Sequence, residues 1–347
     1  MNLGYPAIGT LFRRFGLLLL GIGVVIVLSG ALLLLGGADP ILALGVMYNG
    51  AFGSWAGFGE TLLRFSPLAL VALGLIPSLR IGLFNIGAPG QIAAGGLASA
   101  LINLNLPNLP FYIVLTLACL SAAAGGALCA LIPAILRARL SVSEILSTLV
   151  FNFITLLFLQ YLLTGPMKGY RVNLPESDAF PQNAFLPTFV QGSRAHVGIL
   201  LVFVAFIAIR ALDDSPIGYR LRLLGASRSL GRQAGIDEAR MIVATLCVGG
   251  AAAGIAGWMQ AAGVDHRLYA SIADPIGYTG LFAALMGGLQ SIGVVVSSFF
   301  FAALLRGGDS LQIGADVSPE ITGVLVGLIM LVMAAMETRF RRAEARS

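Results

Sequence analysis

Charge is scarce in this chain. Asp, Glu, Lys and Arg make up 11% of its 347 residues, where soluble domains carry ~25%. A soluble domain covers itself with polar and charged side chains, so this scarcity excludes a soluble enzyme or a disordered chain. Metal-binding and thiol chemistry are thin too, with 3 cysteines and 2 histidines. Cys119, Cys129 and Cys247 each lie inside an apolar run with no CxxC spacing, which excludes a disulfide scaffold and a zinc framework. His196 and His266 stand far apart in sequence, so no metal site is expected. No Ser/His, His/Asp or paired-carboxylate set falls at a depth suited to catalysis, and no catalytic residue is assigned. The 21 Lys and Arg exceed the 16 Asp and Glu by 5. They occupy gaps between apolar runs rather than a solvated basic face, so no nucleic-acid partner is expected. The period-2 alternation of a membrane β-barrel is absent as well.

What the chain has is apolar length. Hydrophobic residues make up 58% of it, and its mean hydropathy is +0.92. A transmembrane helix takes ~20 apolar residues, so ten helices would use ~200. The expected fold is an all-α polytopic membrane protein, one domain over residues 1–347, with about ten transmembrane or re-entrant helices. Its first partner is the lipid bilayer. Apolar runs are read at about 15–35, 61–79, 81–102, 111–136, 143–164, 197–212, 241–262, 292–305 and 321–336. A shorter run over 276–289 either crosses or re-enters as a broken helix. Two long polar gaps separate runs, at 165–195 and 213–240. With an inside N-terminus and ten crossings, most of the basic residues fall on the cytoplasmic side, among them Arg13, Arg14, Arg80, Arg137, Arg139 and the arginines of 213–240. The positive-inside rule then sets both termini and 213–240 in the cytoplasm and 165–195 outside.

Polar residues inside apolar runs carry the functional information. Ser141, Glu144, Thr148, Asn152 and Thr155 are spaced 3, 4, 4 and 3 apart, a stripe ~80° wide on a helix. Such a stripe faces other helices or a water-filled path rather than lipid. Ser141-x-x-Glu144 reads as a capping box. Two readings stay open for Asn152, interhelical bonding and pore lining. The second signal is Phe84-Asn85-Ile86-Gly87-Ala88-Pro89-Gly90-Gln91. Glycines and a proline interrupt an apolar run there, between the amides of Asn85 and Gln91. Broken backbone at membrane depth has to be packed in protein or line a cavity, and transporters place binding elements at such breaks. Small-xxx-small pairs at Ala122/Gly126 and Gly250/Gly254 read as helix-packing seams. In 213–240, Arg220 to Leu224 can start a short amphipathic helix, broken at Gly225 or Gly231.

Together these stretches resemble a known family. Residues 84–91 are similar to the "FNIGAEGQ" segment of the permease subunits of bacterial nucleoside ABC importers, within the wider ribose and branched-chain amino acid permease group. Ser143 to Leu149 with Asn152 resembles "NEVISTLMLNYI". Arg222 to Ile236 resembles "RAVGxNPxAARYAGI" and departs from it at Ser227-Arg228. Ala88-Pro89 stands where the family has Ala-Glu, which removes a carboxylate at the helix break. The resemblance implies the permease subunit of an ABC importer for nucleosides in the bacterial cytoplasmic (inner) membrane. Its substrate pathway would take in Asn85, Gln91, Thr148, Asn152 and Thr155. Its ATPase contact would take in Arg222, Gly225, Ala226, Ser227, Arg232, Ala234, Gly235 and Ile236. It also implies a second permease chain, related but distinct, a cytoplasmic ABC ATPase and an extracytoplasmic substrate-binding protein. No GxxxxGK[ST] loop occurs in the sequence, so no cofactor is expected in this chain and ATP and Mg belong to the partner ATPase. Ribose or another sugar is the nearest rival substrate. An ion-coupled secondary transporter would call for a midplane carboxylate, and Glu144 lies near one end of its span.

Overall fold

A computed structural model describes residues 27–34, 37–170, 173–190, 192–315 and 317–318, together with 321, 323–325, 327–328 and 331–332. The described parts of the first and last expected spans are helical, and the rest of both, with the two termini, lies outside the described residues. The helices are α1 (Pro40–Phe52), α2 (Trp55–Arg80), α3 (Ala88–Asn105), α4 (Phe111–Leu140), α5 (Glu144–Thr164), α6 (Ile199–Asp213), α7 (Pro216–Ala226), α8 (Arg228–Gln233), α9 (Glu238–Gln260), α10 (Ile276–Met286) and α11 (Ser291–Gly314). Among the described residues there is no strand, only isolated bridges at Glu176–Tyr269 and Thr188–His196. Five helices are long and apolar enough to cross a membrane: α2, α4, α5, α9 with its continuation to Asp265, and α11. At 11 residues, α10 reaches only ~16 Å along its axis, about half of a bilayer core.

The chain divides into two compact units, one of residues up to Phe58 with those from Ala303 onward, the other Gly59–Ala302. In the first, α1 begins at Asp39, whose carboxylate accepts the Ile41 backbone N–H at 2.8 Å, with Pro40 in the first turn. This helix was not read from the sequence. Gly50 and Gly307 allow it to meet the last turns of α11, because a Cβ at Gly50 would stand 1.9 Å from the Ser310 hydroxyl.

The second unit is built on α3, α4 and α9. The small residues anticipated as seams meet here. A Cβ at Gly126 would stand 2.0 Å from the Gly250 carbonyl oxygen, and one at Gly254 would stand 2.1 Å from that of Ala122. Gly257 approaches the Ile92 carbonyl of α3 as closely. Backbones this near pack by dispersion without side chains between them, the usual way helices associate in lipid. The outward faces of α4 and α5 carry Leu120, Leu128, Phe153, Leu157 and Phe158, all exposed, as suits contact with lipid. Over its most apolar window α2 is 89% buried, so its hydrophobicity serves protein packing rather than a lipid face.

The described residues of 165–198 fold over the far end of α9. Phe180 N–H donates to the His266 carbonyl at 2.8 Å, and Leu186 N–H to that of Ala262 at 3.1 Å. Arg267 pairs with Glu176 at 2.7 Å. His196 is buried against Gly263, in the π-helical turn Ala261–Asp265 that ends α9. Its Nδ1 accepts the Gly198 N–H at 3.1 Å. Burial, helped by the nearby His266, lowers its pKa to about 4, so the ring is neutral at pH 7.

Candidate functional site

The break between α2 and α3 is made by the end of one helix and the delayed start of the next. Gly82 takes φ +75°, and the N–H groups of Gly82 and Leu83 return to the carbonyls of Leu79 and Ser78, a Schellman ending that suits glycine. The chain then runs unhelical to Gly87. Pro89 sits in the first turn of α3, where its missing N–H costs nothing, so it opens that helix rather than kinking one.

Asn85 and Gln91 close across the gap. Asn85 Nδ2 donates to Gln91 Oε1 and Gln91 Nε2 donates to Asn85 Oδ1, each at 3.0 Å. Asn85 Oδ1 also accepts the Gly87 N–H at 3.0 Å. From α5, Asn152 reaches both sides of the break. Its Oδ1 accepts the Gly90 N–H, and its Nδ2 donates to the Ile86 carbonyl at 3.0 Å and meets the Tyr278 hydroxyl of α10 at 3.2 Å. Thr148 packs beside Gly87 and turns its hydroxyl back to the Glu144 carbonyl at 2.7 Å. Asn85, Gln91, Thr148 and Asn152 are all buried, at most 1% exposed. The structure thus brings these four expected pathway residues together as a closed polar brace. Of the two readings open for Asn152, interhelical bonding is the one this geometry displays. Thr155 stands apart from the brace, donating to the Phe151 carbonyl at 2.8 Å and lying 3.4 Å from Cys129 Sγ of α4.

The capping box expected at Ser141-x-x-Glu144 does not form. Ser141 ends α4 in the left-handed conformation, φ 55°, and Ser143 precedes α5 without a side-chain cap. Glu144 instead pairs with Arg137 of α4 at 3.2 Å. Ser141 serves as the αL C-cap of α4 rather than the N-cap of α5, and the Arg137 guanidinium takes the carboxylate.

The 213–240 stretch is helical rather than a loop. Ser215 caps α7, its hydroxyl accepting the Gly218 N–H at 3.1 Å, with Pro216 following it. The helix breaks at Ser227, which is extended, and not at Gly225 or Gly231 as expected. Those glycines are contact points inside helices: a Cβ at Gly225 would stand 2.1 Å from the Arg80 carbonyl oxygen, and one at Gly231 would stand 2.4 Å from Leu224. Gly235 closes α8 at φ +71°, with the Gly235 and Ile236 N–H groups returning to Arg232 and Gly231. Leu221 and Leu224 bury themselves with Ile81, Leu83, Ala134, Ile242 and Leu246. Arg222, Gly225, Ala226, Arg232, Ala234 and Gly235 are exposed, with Ser227 and Ile236 half-buried. Of the expected contact residues, Gly225 approaches the Arg80 carbonyl within the chain, and the small residues Ala226 and Ala234 are exposed. Sequence reasoning missed Tyr278 and Asp213, whose contacts join segments distant in sequence, and the Arg137–Glu144 pair, which forms seven residues apart only because of the turn between α4 and α5.

Comparison with known proteins agrees with this architecture. The chain is 33% identical over 310 residues to a glucose ABC transporter permease protein of Haloferax volcanii, covering 86% of this chain and 81% of the relative. It is 30% identical over 312 residues to a guanosine ABC transporter permease protein of Bacillus subtilis, covering 88% and 89%. It is 27% identical over 318 residues to a nucleoside ABC transporter permease protein of Lactococcus lactis subsp. cremoris, covering 88% and 87%. No solved structure shows a significant match. Residues 57–334, which include the broken α2–α3 junction, the α5 stripe and the α7–α8 pair, match the family of branched-chain amino acid transport system permease components, and the chain belongs to that family.

Proposed function

We propose that this multi-pass permease component carries nucleosides into the cell, as one of two related but distinct permease chains of an ABC importer in the bacterial cytoplasmic membrane. The observation that carries the reading is the braced break between α2 and α3, built on the same residues that resemble the nucleoside permeases. Relatives named for guanosine and nucleoside transport support the substrate class over most of their length. In this reading Asn85, Gln91, Thr148 and Asn152 fix the wall of the pathway, and Thr155 extends it along α5. Both termini and the α7–α8 pair are cytoplasmic, 165–195 is outside, and about ten segments cross or enter the bilayer. The exposed face around Ala226 and Ala234 meets the ATPase, which holds ATP and Mg, and an extracytoplasmic binding protein delivers substrate.

A sugar is the second reading, favoured by the glucose permease relative at 33% identity. The test is calorimetric titration of the cognate binding protein with guanosine, ribose and glucose. Guanosine binding, with no heat from either sugar, is expected. Binding of glucose or ribose alone would replace the nucleoside reading with the sugar one.

A further inference from the structure

The C-terminal residue of α2, Arg80, holds together three segments that the sequence separates widely. Its guanidinium donates from Nε and Nη2 to the Leu289 carbonyl, at 3.2 and 2.8 Å, in the turn between α10 and α11. Its Nη1 forms an ion pair with the Asp213 carboxylate at the end of α6. Asp213 is tied onward to α7, since Arg222 donates to its backbone carbonyl at 2.8 Å. Arg80's own carbonyl lies under Gly225 of α7, at a spacing that admits no Cβ. The side chains of Arg80 and Asp213 are only 15% and 18% exposed, so the pair is largely shielded from water and salt.

Five residues beyond Arg80 stands Asn85, the first amide of the brace. Between them Ile81 and Leu83 are buried against Leu221 and Leu224 of α7. The α7 helix therefore touches the broken junction's root through a backbone contact and an apolar cluster, while the Arg80–Asp213 pair ties that root to the end of α6, which Arg222 joins to α7. A rigid path of this kind is what carries a displacement from one site to another, because packed interfaces move as units.

We propose that Arg80 and Asp213 form the strut through which movement of the α7–α8 pair reaches the Asn85–Gln91–Asn152 brace, so that they are positioning residues for transport. This rests on the ABC permease reading. A residue that only stabilised the fold would change how much transporter assembles. A strut changes how much substrate moves for each ATP hydrolysed.

The experiment uses the complete transporter, with its ATPase, second permease and binding protein, in proteoliposomes, and measures substrate moved per ATP hydrolysed. Wild type comes first: ATP-dependent uptake by wild type establishes the underlying reading, and its absence would count against that reading and not against the strut. Asp213→Asn keeps size and hydrogen-bonding capacity but removes the charge. It is expected to lower substrate moved per ATP about tenfold, within the range of ordinary coupling energies, while the ATPase co-purifies in normal amount. Arg80→Lys keeps the charge but loses the forked contact to Leu289, and an intermediate ratio is expected. The exchange Arg80→Asp with Asp213→Arg should recover part of the ratio lost by Arg80→Asp alone. A wild-type ratio in Asp213→Asn, or loss of uptake only in proportion to lost assembly, would overturn the strut.

Discussion

Asn85 and Gln91 hold each other by two reciprocal amide bonds of equal length, 3.0 Å, across the point where the helix stops and restarts. Each amide is both donor and acceptor to the other, so the pair acts as a unit. Single substitutions Asn85→Ala and Gln91→Ala should each lower the apparent melting temperature in detergent, since each strands a buried polar group at a cost of about 1–3 kcal/mol. The double substitution should cost clearly less than the sum of the two. Additive losses in thermal unfolding would mean that the two amides are supported independently.

Asn152 occupies both ends of its amide, on Gly90 and on Ile86 with Tyr278. Asn152→Leu should therefore reduce thermal stability and uptake together, and Tyr278→Phe should cost less than about 1 kcal/mol, because one shared contact at 3.2 Å is lost and the backbone bonds remain. Uptake abolished at unchanged melting temperature would instead mark Asn152 as a residue that meets substrate.

Gly225 and Ala234 separate two roles within the α7–α8 pair. A Cβ at Gly225 would meet the Arg80 carbonyl at 2.1 Å, so Gly225→Ala should damage folding and lower membrane abundance. Ala234 is exposed, so Ala234→Glu should leave abundance intact and weaken co-purification of the ATPase. The opposite pattern in membrane blots and pull-downs would place the ATPase contact elsewhere.

Topology is best probed at exposed positions. Ser177 lies buried, its hydroxyl accepting the Leu268 N–H at 3.0 Å, and is unsuited to labelling. Ala179 and Ser229 are both exposed. Ala179→Cys should react with an impermeant maleimide in intact cells, and Ser229→Cys only after permeabilisation. Reaction of Ser229→Cys from outside would reverse the orientation.

The His196 ring has a pKa lowered to about 4 in the fold, by burial first and by His266 second, against ~6.5 in an unfolded chain. The unfolded state therefore binds the extra proton first as pH falls. The ring's contribution to stability is complete above ~6.5 and is lost progressively down to about 4, amounting to ~3 kcal/mol at most. Melting temperature should fall between pH 7 and 5 in wild type and less steeply in His196→Asn. Parallel pH profiles would assign the acid sensitivity to other groups.

Local sequence signals carried much of this architecture. The apolar runs located the long helices, and the Ala122/Gly126 and Gly250/Gly254 spacings located the α4–α9 seam. The 3-4-4-3 stripe correctly put Thr148 and Asn152 on an inward face. Other features depended on contacts that no local pattern encodes. Glu144 satisfied a capping pattern three residues from Ser141, but the αL turn at Ser141 left the carboxylate to Arg137. Gly225 read as a helix breaker, whereas its function in the fold is to let α7 lie on the Arg80 carbonyl. Asp39-Pro40 is a legible helix start, an N-cap followed by proline, ahead of a 13-residue helix too short for an ordinary span.

The activity proposed for this permease component is carriage of nucleosides by an ATP-driven cycle. The most direct measurement is uptake of radiolabelled guanosine into proteoliposomes holding the complete transporter, with binding protein and ATP supplied on their proper sides. Uptake that requires ATP, is competed by other nucleosides and is unaffected by excess glucose or ribose is the expected result. ATP-driven uptake of glucose with no guanosine transport would contradict nucleoside carriage.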